Sequence, residues 1–390
     1  MVNVLIDFSY LFHKTLGIFT GYGKDKKEPG EVLEKLSEQK MFMRKIITDL
    51  CYGLSQIPDI KRVVICKDSK SWRKDFIIDR KGYKESRTEK EGTNWGCFYN
   101  LMEECGNHLE ENGFIYSQIK GAEGDDLIWA WNRRFRMMGE NVLIYSGDGD
   151  MHQLINHSID QDSWTIVWNS KSKDNRLFVP PNWIKDIEGK SKEISIFDVN
   201  PIEESIENKL KSFIEKSTVE EIERKSLIFK KILIGDKGDD VPSVMSIITQ
   251  DSKTEGNPEG KSVSVTPAKA EKIWLSFLES GWKNKELWQI WKSEDYLTWI
   301  SGYILRIIGA TDNTENRELA KKQYIENATL LWLHSETIPS EVKEAVEQTQ
   351  DKLLSVNVSP IMDKKKLIES SVWSGDSAYV PSGFNPFKNY

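Results

Sequence analysis

The strongest constraint on the fold is a series of short apolar runs that each lead into acidic residues. The runs and the acids that follow them are residues 2–6 with Asp7, residues 63–65 with Asp68, and residues 142–145 with Asp148 and Asp150. Continuous apolar, β-branched runs are typical of central parallel strands, which are buried on both faces. Open α/β folds build their sites at the carboxyl edge of such strands. The sequence therefore predicts an α/β fold with acidic residues gathered at that edge.

Strand-like and helix-like segments alternate through the first half of the chain. The strand candidates are residues 2–6, 62–66, 114–118, 141–145 and 164–168, and the helix candidates are residues 31–54, 95–112 and 125–138. This alternation favours a mostly parallel sheet with helices on both faces. No strand is predicted after about residue 180, where a polar connection leads into helices and loops. We expect an α/β domain at 1–185, a helical domain at 186–373 and a tail at 374–390.

Nine acidic residues form the candidate metal-binding set. They are Asp7, Asp68, Glu123, Asp125, Asp126, Asp148, Asp150, Asp236 and Asp239. Two carboxylates about 4 Å apart repel each other by roughly 4 kcal/mol at an effective dielectric constant near 20, so such a cluster needs cations. Oxygen ligands suit Mg²⁺, with Mn²⁺ as its substitute. Each motif alone has an ordinary alternative: a plain turn or calcium loop at SGDGD, an acidic helix start at EGDD, and a glycine helix stop at GDKGDD.

The EGDD motif stands at the start of a predicted helix. Acidic side chains are favourable in a first helical turn because of the helix dipole. Neighbouring positions of that turn cannot all face one way. We therefore expect Glu123 and Asp125 to point toward the metal site and Asp126 to cap the helix or support the ligands from behind.

The net charge of −7 conceals a basic stretch. Residues 61–90 hold eleven Lys and Arg residues against five acids. Basic side chains beside an acidic metal site suit an enzyme that cleaves phosphodiesters, although a solvated helical face with mixed charge is the alternative. The candidate nucleic-acid contacts are Trp72, Arg73, Lys74, Tyr83, Lys84, Arg87 and, in the GDKGDD turn, Lys237. Trp72 and Tyr83 would stack on a splayed base, although Trp72 suits a protein core equally well.

Other site classes find little support. The four cysteines lack CxxC spacing and the five histidines are scattered, so reduced structural thiols are expected in place of a zinc site or disulfides. No segment approaches 18 consecutive apolar residues, and Asp7 interrupts the first apolar run. We expect a cytoplasmic protein without a membrane partner.

The motifs, taken in chain order, resemble those of the 5′ nuclease or flap endonuclease family and are most similar to its bacteriophage ribonuclease H branch. They are Asp7, KDSKSWRKD, YKESR, EGDD, SGDGDMHQL and GDKGDD, spread over residues 1–340. The resemblance implies a PIN-like α/β nuclease domain and a helical domain whose helix-three-turn-helix grips duplex DNA. It also implies a two-metal 5′-to-3′ nuclease with ribonuclease H activity that removes RNA primers, 5′ flaps and nicked strand ends during replication.

Matching the motifs residue by residue implies roles for the acids. One Mg²⁺ would be held by Asp7, Asp68, Glu123 and Asp125, with Asp126 near it, and the second by Asp148, Asp150 and Asp236, with Asp239 close by. Lys84, beside Tyr83, corresponds to the family's catalytic lysine, and Arg87 to an arginine of its helical arch. The implied substrates are branched or nicked DNA and RNA–DNA hybrids, bound by a monomer.

The chain departs from the family pattern at three places. Gly124 replaces the usual alanine of EADD, Asp240, Val241 and Ser243 alter the GDxxDN-Ile-Pro-Gly-Val motif, and the loop at 250–266 replaces the second glycine turn of the duplex-gripping motif. This last change puts duplex grip in question.

Two other functions remain open: a PIN-type endoribonuclease for single-stranded RNA, and a catalytically inactive protein that binds branched DNA. Docking of residues 384–390 on a sliding clamp or a single-strand binding protein is a further hypothesis.

Overall fold

Two compact units make up the chain. The first contains Met1–Lys70, Glu89–Ile222 and Glu341–Tyr390, and the second contains Ser71–Thr88 and Glu223–Ser340. The computed structural model describes residues 1–19, 33–57, 59–76, 82–86, 95–158, 163–169, 175–181, 183–187, 191–194, 217–245, 247–249, 261–356, 360–371 and 373. Among these residues, no helix is long and apolar enough to cross a membrane.

An eight-stranded, mostly parallel sheet forms the centre of the first unit. Its strands are β1 (Val2–Asp7), β2 (Ile60–Cys66), β3 (Ile115–Ser117), β4 (Asn141–Tyr145), β5 (Asn156–Ser158), β6 (Ser163–Asn169), β7 (Asn175–Val179) and β10 (Ser217–Glu221). The order is β10-β7-β6-β4-β1-β2-β3, with β5 paired to β6. Only the β5–β6 and β6–β7 pairs of this sheet are antiparallel. The predicted fold class is confirmed.

Among the described residues, six helices of the first unit accompany this sheet. They are α1 (Phe8–Phe19), α2 (Leu36–Gln56), α4 (Trp95–Glu111), α5 (Gly124–Met137), α11 (Ser340–Leu354, from its second residue) and α12 (Lys364–Glu369). All six residues of β1 are buried, as expected for a central strand. In α2, the buried Phe42, Met43, Ile46, Ile47 and Leu50 recur three or four residues apart. This spacing places one apolar face against the core.

The last described residues of the chain pack on the first unit. Both Nε and Nη2 of Arg44 donate to the carbonyl oxygen of Trp373, at 3.0 and 2.6 Å. The ring of His108 lies 2.8 Å, from Nε2, from the carbonyl oxygen of Leu367. The two units therefore differ in their bounds from the predicted domains 1–185 and 186–373, because residues 341–373 belong to the α/β unit. The predicted tail at 374–390 lies outside the described residues.

Helices dominate the second unit. They are α3 (Arg73–Phe76), α6 (Arg224–Ile234), α7 (Pro267–Glu279), α8 (Leu287–Ile290), α9 (Glu294–Ile308) and α10 (Thr314–Leu331). Its core contains an aromatic cluster in which Phe229 packs on Trp274 and Phe277 with ring centroids 5.2 and 5.1 Å apart. The predicted helical region after the α/β part is confirmed.

The prediction that strands stop after about residue 180 is wrong. A hairpin follows there, β8 (Ile184–Ile187) with β9 (Ser191–Ile194), and β10 then joins the main sheet beside β7. In the second unit, β11 (Ile247–Thr249) pairs with β12 (Lys261–Val263). Strand β10 has the sequence STVEE and no buried residue, since it forms the edge of the sheet. Main-chain pairing forms it, and such pairing leaves no apolar signal in the sequence.

Glu140 joins the start of β1 and β2 to the residues before β4. Its carboxylate accepts hydrogen bonds from Asn3 Nδ2 at 2.8 Å and Arg62 Nη1 at 2.9 Å, and it also pairs with Lys61. Burial alone would raise the pKa of Glu140, but these partners outweigh it and hold the pKa below the ordinary value of 4.5. A lowered carboxyl pKa stabilises the fold above the ordinary pKa, and the contribution is lost as the pH falls.

We therefore predict that Glu140→Ala lowers the melting temperature at neutral pH and that the difference from wild type shrinks below about pH 4. Glu140→Gln, which keeps one acceptor oxygen, should lose less. Thermal unfolding followed by circular dichroism across this pH range tests the prediction. A deficit of the same size at every pH would contradict it.

Candidate metal centre

Three neighbouring parallel strands deliver acidic residues to one edge of the sheet. Asp7 is the last residue of β1 and lies opposite Cys66, the last residue of β2, while Ile6 lies opposite Tyr145, the last residue of β4. Asp68 follows β2 by two residues and Asp148 follows β4 by three. The Asp7 residue is only 8% exposed, whereas Asp68 and Asp148 are exposed. The predicted grouping of acids at the carboxyl edge is thus present within the first unit.

Ser146 connects two of these acids. Its buried hydroxyl donates to Asp7 Oδ2 at 2.6 Å and accepts from the main-chain N–H of Asp148 at 3.0 Å. The other oxygen of Asp7 accepts from the main-chain N–H of Tyr10 at 2.9 Å. The orientation of the Asp7 carboxylate is therefore fixed by the first turn of helix α1, which follows it, and by the loop after β4.

Electrostatic repulsion is strong at this edge. The pKa of Asp7 is raised to about 7, mainly by burial and also by the charges of Asp68 and Asp148, against the opposing hydrogen bonds from Ser146 and Tyr10. Burial also raises the pKa of the neighbouring Cys66 thiol, with added contributions from Asp7, Asp68 and Asp125. Four carboxylates thus act on the same small region. A set of oxygen ligands with this much uncompensated charge fits a hard divalent cation such as Mg²⁺ or Mn²⁺.

The EGDD motif begins helix α5 as a capping box. Asp126 is buried, and its Oδ2 accepts from the main-chain N–H of Glu123 at 3.0 Å. In return, the Glu123 side chain accepts from the main-chain N–H of Asp126. The predicted capping role of Asp126 agrees with this contact. Glu123 is also engaged in the cap, and the half-buried Asp125 acts electrostatically on Cys66 beside Asp7 and Asp68.

Gly124 allows close approach of Asp68 to helix α5. Its main-chain N–H donates to Asp68 Oδ1, and a Cβ atom at this position would lie 3.0 Å from the same oxygen. The departure from the alanine of EADD therefore has a structural reason. The positive end of the helix dipole and a main-chain donor both stabilise the Asp68 carboxylate.

The SGDGD loop continues into a short 3₁₀ helix, Gly149–Leu154. Asp148 caps this helix, since its Oδ1 accepts from the main-chain N–H of Asp150 at 2.9 Å. Gly147 lies against the ring of Tyr10, where a Cβ would come within 2.3 Å of a ring carbon. Tyr10 therefore holds the loop that carries Asp148 and Asp150.

The GDKGDD loop belongs to the second unit and is closed on itself. Asp236 and Val241 exchange main-chain hydrogen bonds of 2.8 Å, and Asp236 Oδ1 accepts from Gly238 N at 2.8 Å. Burial would raise the pKa of Asp236, but the ion pair with Lys231 at 3.1 Å and the main-chain donors of the loop leave it below the ordinary value. Asp236 is therefore an ionised carboxylate on a rigid turn.

Residues 82–86 are fastened to this loop, and we call the set of contacts the clasp. Tyr83 donates its hydroxyl to Asp239 Oδ2 at 2.9 Å, and the main-chain N–H of Lys84 donates to the carbonyl oxygen of Asp239 at 3.0 Å. Ser86 donates both its main-chain N–H and its hydroxyl to Asp240 Oδ2, each at 2.6 Å. The sequence predicted neither the clasp nor the reason for Asp240, which the family motif replaces with asparagine.

Each of the two segments that the clasp joins contains a non-glycine residue with a positive φ angle. Lys84 has φ 56° and Asp240 has φ 58°, in the left-handed region that non-glycine residues occupy infrequently. The clasp holds Lys84 in this conformation, while its ammonium group lies 4.8 Å from the centroid of the Tyr83 ring. Such strained residues persist where the surrounding contacts determine them, and they concentrate at functional sites.

Asn327 supports the same loop from helix α10. It is fully buried, and its Nδ2 donates to the carbonyl oxygens of Ile232 and Pro242, each at 2.9 Å. One side chain therefore joins the end of α6 to the residues after GDKGDD. This long-range contact was missed from the sequence, where Asn327 stands in an unremarkable helical segment.

The residues predicted to contact nucleic acid differ in how far their side chains are exposed to solvent. Arg73 is only 1% exposed and its Nε donates to the carbonyl oxygen of Leu330 at 3.0 Å, so burial argues against its predicted phosphate contact. Tyr83 is likewise buried by the clasp, which argues against base stacking. Trp72 is half-buried beneath the Arg73 guanidinium at 4.6 Å, while Lys74 and Lys237 are exposed. Arg87 lies outside the described residues.

The buried charge of Asp7 leads to a prediction about cation-dependent stability. Because its pKa is raised to about 7, the folded state without metal loses stability as the pH rises from the ordinary value of 3.8 through that range. We predict that Asp7→Asn raises the melting temperature of the EDTA-treated protein near about pH 8. The same variant should abolish most of the increase that Mg²⁺ causes in wild type.

Differential scanning fluorimetry with EDTA, Mg²⁺ and Mn²⁺ provides the measurement. Asp295→Ala, which changes an exposed acid in α9, serves as the control and should respond to metal as wild type does. An Asp7→Asn protein that is destabilised in EDTA and still gains the full Mg²⁺ shift would contradict the assignment.

The clasp leads to a second prediction, on local opening. Asp240→Ala removes the acceptor for Ser86 and places a less tolerant residue at positive φ, so residues 82–86 should open more often and trypsin should cleave faster after Lys84. Asp240→Asn keeps one acceptor oxygen and tolerates the left-handed conformation, so its cleavage rate should stay near that of wild type. Equal rates for the two variants would exclude the clasp as the restraint.

Comparison with known proteins finds a family model that matches part of the chain and solved structures of similar fold. Residues 18–184 match the model of the 5′-3′ exonuclease, N-terminal resolvase-like domain. A T5 5′-exonuclease structure with bound zinc is 15% identical, with a TM-score of 0.50, and the match covers 91% of this chain and 99% of that chain. A bacteriophage T5 flap endonuclease in complex with DNA and metal ions is 13% identical, with a TM-score of 0.49 and coverage of 91% and 98%. No curated protein sequence matches the chain.

At 15% identity the structural likeness shows the fold alone. The residues that match the family model, 18–184, include Asp68, the EGDD motif and the SGDGD loop. This part of the chain, less than half of its length, is therefore similar to the 5′-3′ exonuclease N-terminal resolvase-like domain.

Proposed function

We propose that this protein is a divalent-metal-dependent 5′ nuclease that cleaves phosphodiester bonds in branched or nicked DNA and in RNA–DNA hybrids. The observation that carries the proposal is the convergence of Asp7, Asp68, Asp125 and Asp148 at the carboxyl edge of β1, β2 and β4. A buried acid that its acidic neighbours repel destabilises a fold without cations, and such arrangements concentrate at catalytic centres.

The proposed ligands come from the acidic motifs of the sequence. Asp7, Asp68, Glu123 and Asp125 would hold one cation, with Asp126 fixing Glu123 through the capping box. Asp148 and Asp150 would hold the second, and the family resemblance adds Asp236 and Asp239. Mg²⁺ bound by such a set supplies charge stabilisation at the phosphate and an activated water as nucleophile.

Residues of the chain other than acids have proposed roles too. Lys84 would neutralise charge that develops on the scissile phosphate, and the clasp would keep its ammonium group aimed in one direction. Ser146 and Tyr10 would hold Asp7 in the orientation that a metal ligand requires. Arg87 would act beside Lys84. The exposed Lys74 and Lys237 would contact the phosphate backbone, which makes affinity fall with salt.

The range of substrates is part of the proposal. The bacteriophage T5 flap endonuclease of similar fold was solved with DNA and metal ions, which supports DNA as a substrate class here. Removal of RNA primers, ribonuclease H activity and a role in replication extend the proposal through the family's phage branch. An arch over the site would favour strand ends and flaps over continuous duplex.

The test is a cleavage assay with three 5′-labelled substrates: a flap duplex, an RNA–DNA hybrid and a single-stranded RNA. Wild type with Mg²⁺ should release short 5′ products from the first two, and EDTA should stop the reaction. Asp148→Ala should reduce the rate by more than about 100-fold, beyond the loss typical of residues that only support a metal ligand. Asp295→Ala, an exposed acid in the second unit, is the matched control and should keep wild-type activity.

Each alternative function has its own result in this assay. Cleavage of single-stranded RNA alone would replace the proposal with a PIN-type endoribonuclease. Binding of both duplex substrates without cleavage would replace it with an inactive branched-DNA binder. Cleavage that persists in EDTA or in Asp148→Ala would remove the metal centre from the mechanism.

A further inference from the structure

A groove lies between helices α5 and α11 of the first unit. Its volume is about 180 Å³, and its apolar lining comes from Trp129, Ala130 and Met137 of α5 and from Val346 of α11. Met137 is largely exposed at its mouth, whereas Trp129 is 8% exposed at its wall. The groove is large enough for one sizeable apolar side chain, since a dry cavity of about 150 Å³ accommodates a benzene ring.

Gln350 lines the groove, and its side-chain amide nitrogen lacks a hydrogen-bond partner. The residue is 2% exposed, and its Nε2 is buried without any acceptor. Buried side-chain donors are nearly always satisfied in folded proteins, and a specific exception requires an explanation. A donor left unpaired beside an apolar groove indicates an acceptor that comes from a bound molecule.

Charged side chains line the rim of the groove. Arg134 Nη2 pairs with Asp351 Oδ1 at 2.7 Å and Arg133 Nη1 with Glu347 Oε1 at 3.5 Å, all four side chains being more than one third exposed. Lys343 adds a third cation, so that the rim carries three cations and two acids. Exposed ion pairs are weak, so both arginines can exchange their partners for an acidic ligand at little cost.

We propose that this groove binds a short acidic peptide segment of a partner protein. A large apolar side chain of the segment enters between Trp129 and Val346, its main-chain carbonyl accepts from Gln350 Nε2, and flanking Asp or Glu residues face Arg133 and Arg134. A nucleic acid fits less well. Glu347 and Asp351 repel phosphates, and the buried Trp129 offers no open ring face for a base. The proposal concerns a surface outside the acidic cluster and does not depend on nuclease activity.

The first test compares binding of two fluorescein-labelled peptides by anisotropy on the full chain. The probe is acetyl-Asp-Asp-Leu-Phe-Asp-amide, and the control peptide has lysine at each aspartate position. We expect saturable binding of the acidic peptide with a dissociation constant below about 1 mM and at least tenfold weaker binding of the basic one. No saturation by the acidic peptide, or equal binding of the two, would overturn the proposal.

Variants locate the binding in the groove. Gln350→Met keeps the volume and removes the donor, so peptide affinity should fall about tenfold while the melting temperature stays the same or rises. Gln348→Met, an exposed position of the same helix, is the matched control and should change neither. A large fall in the melting temperature of Gln350→Met would show that Gln350 is satisfied within the free protein, and the proposal would fail.

Substitutions of the charged rim residues should change peptide affinity in opposite directions. Arg134→Ala should weaken binding of the acidic peptide several-fold, whereas Asp351→Asn should strengthen it or leave it unchanged. A labelled single-stranded oligonucleotide of about ten nucleotides tests the other class of partner. If it binds more tightly than the peptide and loses affinity in Gln350→Met, the groove contacts nucleic acid and the peptide proposal is wrong. Nuclease activity should be unchanged in every variant of the groove.

Discussion

Repulsion between carboxylates at the carboxyl edge of β1, β2 and β4 is the interaction on which the site of this protein depends. The buried Asp7 has its pKa raised to about 7 by burial and by Asp68 and Asp148, so the fold tolerates the cluster at a cost in stability. Ser146 and the N–H of Tyr10 reduce that cost and fix the carboxylate in direction. In the proposed metal centre, a bound cation would remove most of the remaining repulsion. Folding stability and metal binding would then be linked through the same oxygen atoms.

The second unit uses a different principle, since main-chain geometry replaces charge repulsion. Asn327 holds the turn after α6, the clasp holds residues 82–86 on that turn, and two non-glycine residues take positive φ as a result. None of these contacts is strong alone. Together they restrain Lys84, a long and flexible side chain, by restraining the backbone that carries it. Positioning of this kind reduces the conformational freedom that would otherwise be lost when a substrate binds.

Reasoning from the sequence found the strands and the acids that local patterns of residues indicate. Strands β1, β2, β4 and β6 each contain a short apolar run, and the motifs at the ends of β1, β2 and β4 identified Asp7, Asp68 and Asp148. It failed where structure comes from distant contacts. Strand β10 is formed by main-chain pairing at a sheet edge, and the clasp joins residues more than 150 positions apart. Arg73 and Tyr83 looked like nucleic-acid contacts by residue type, but burial and specific partners occupy them.

The chain order of the two units has a further consequence. The helical unit is an insertion in two pieces, because the α/β unit supplies the residues before 71, those from 89 to 222, and those after 340. Strand β10 joins the α/β unit after the first of these pieces, and helices α11 and α12 complete the unit only after the second. A shortened protein that ends after β7 would leave the apolar face of α2 without α12, and the sheet would expose β7 as its edge. No continuous piece of the sequence can therefore contain the whole α/β unit without the helical unit.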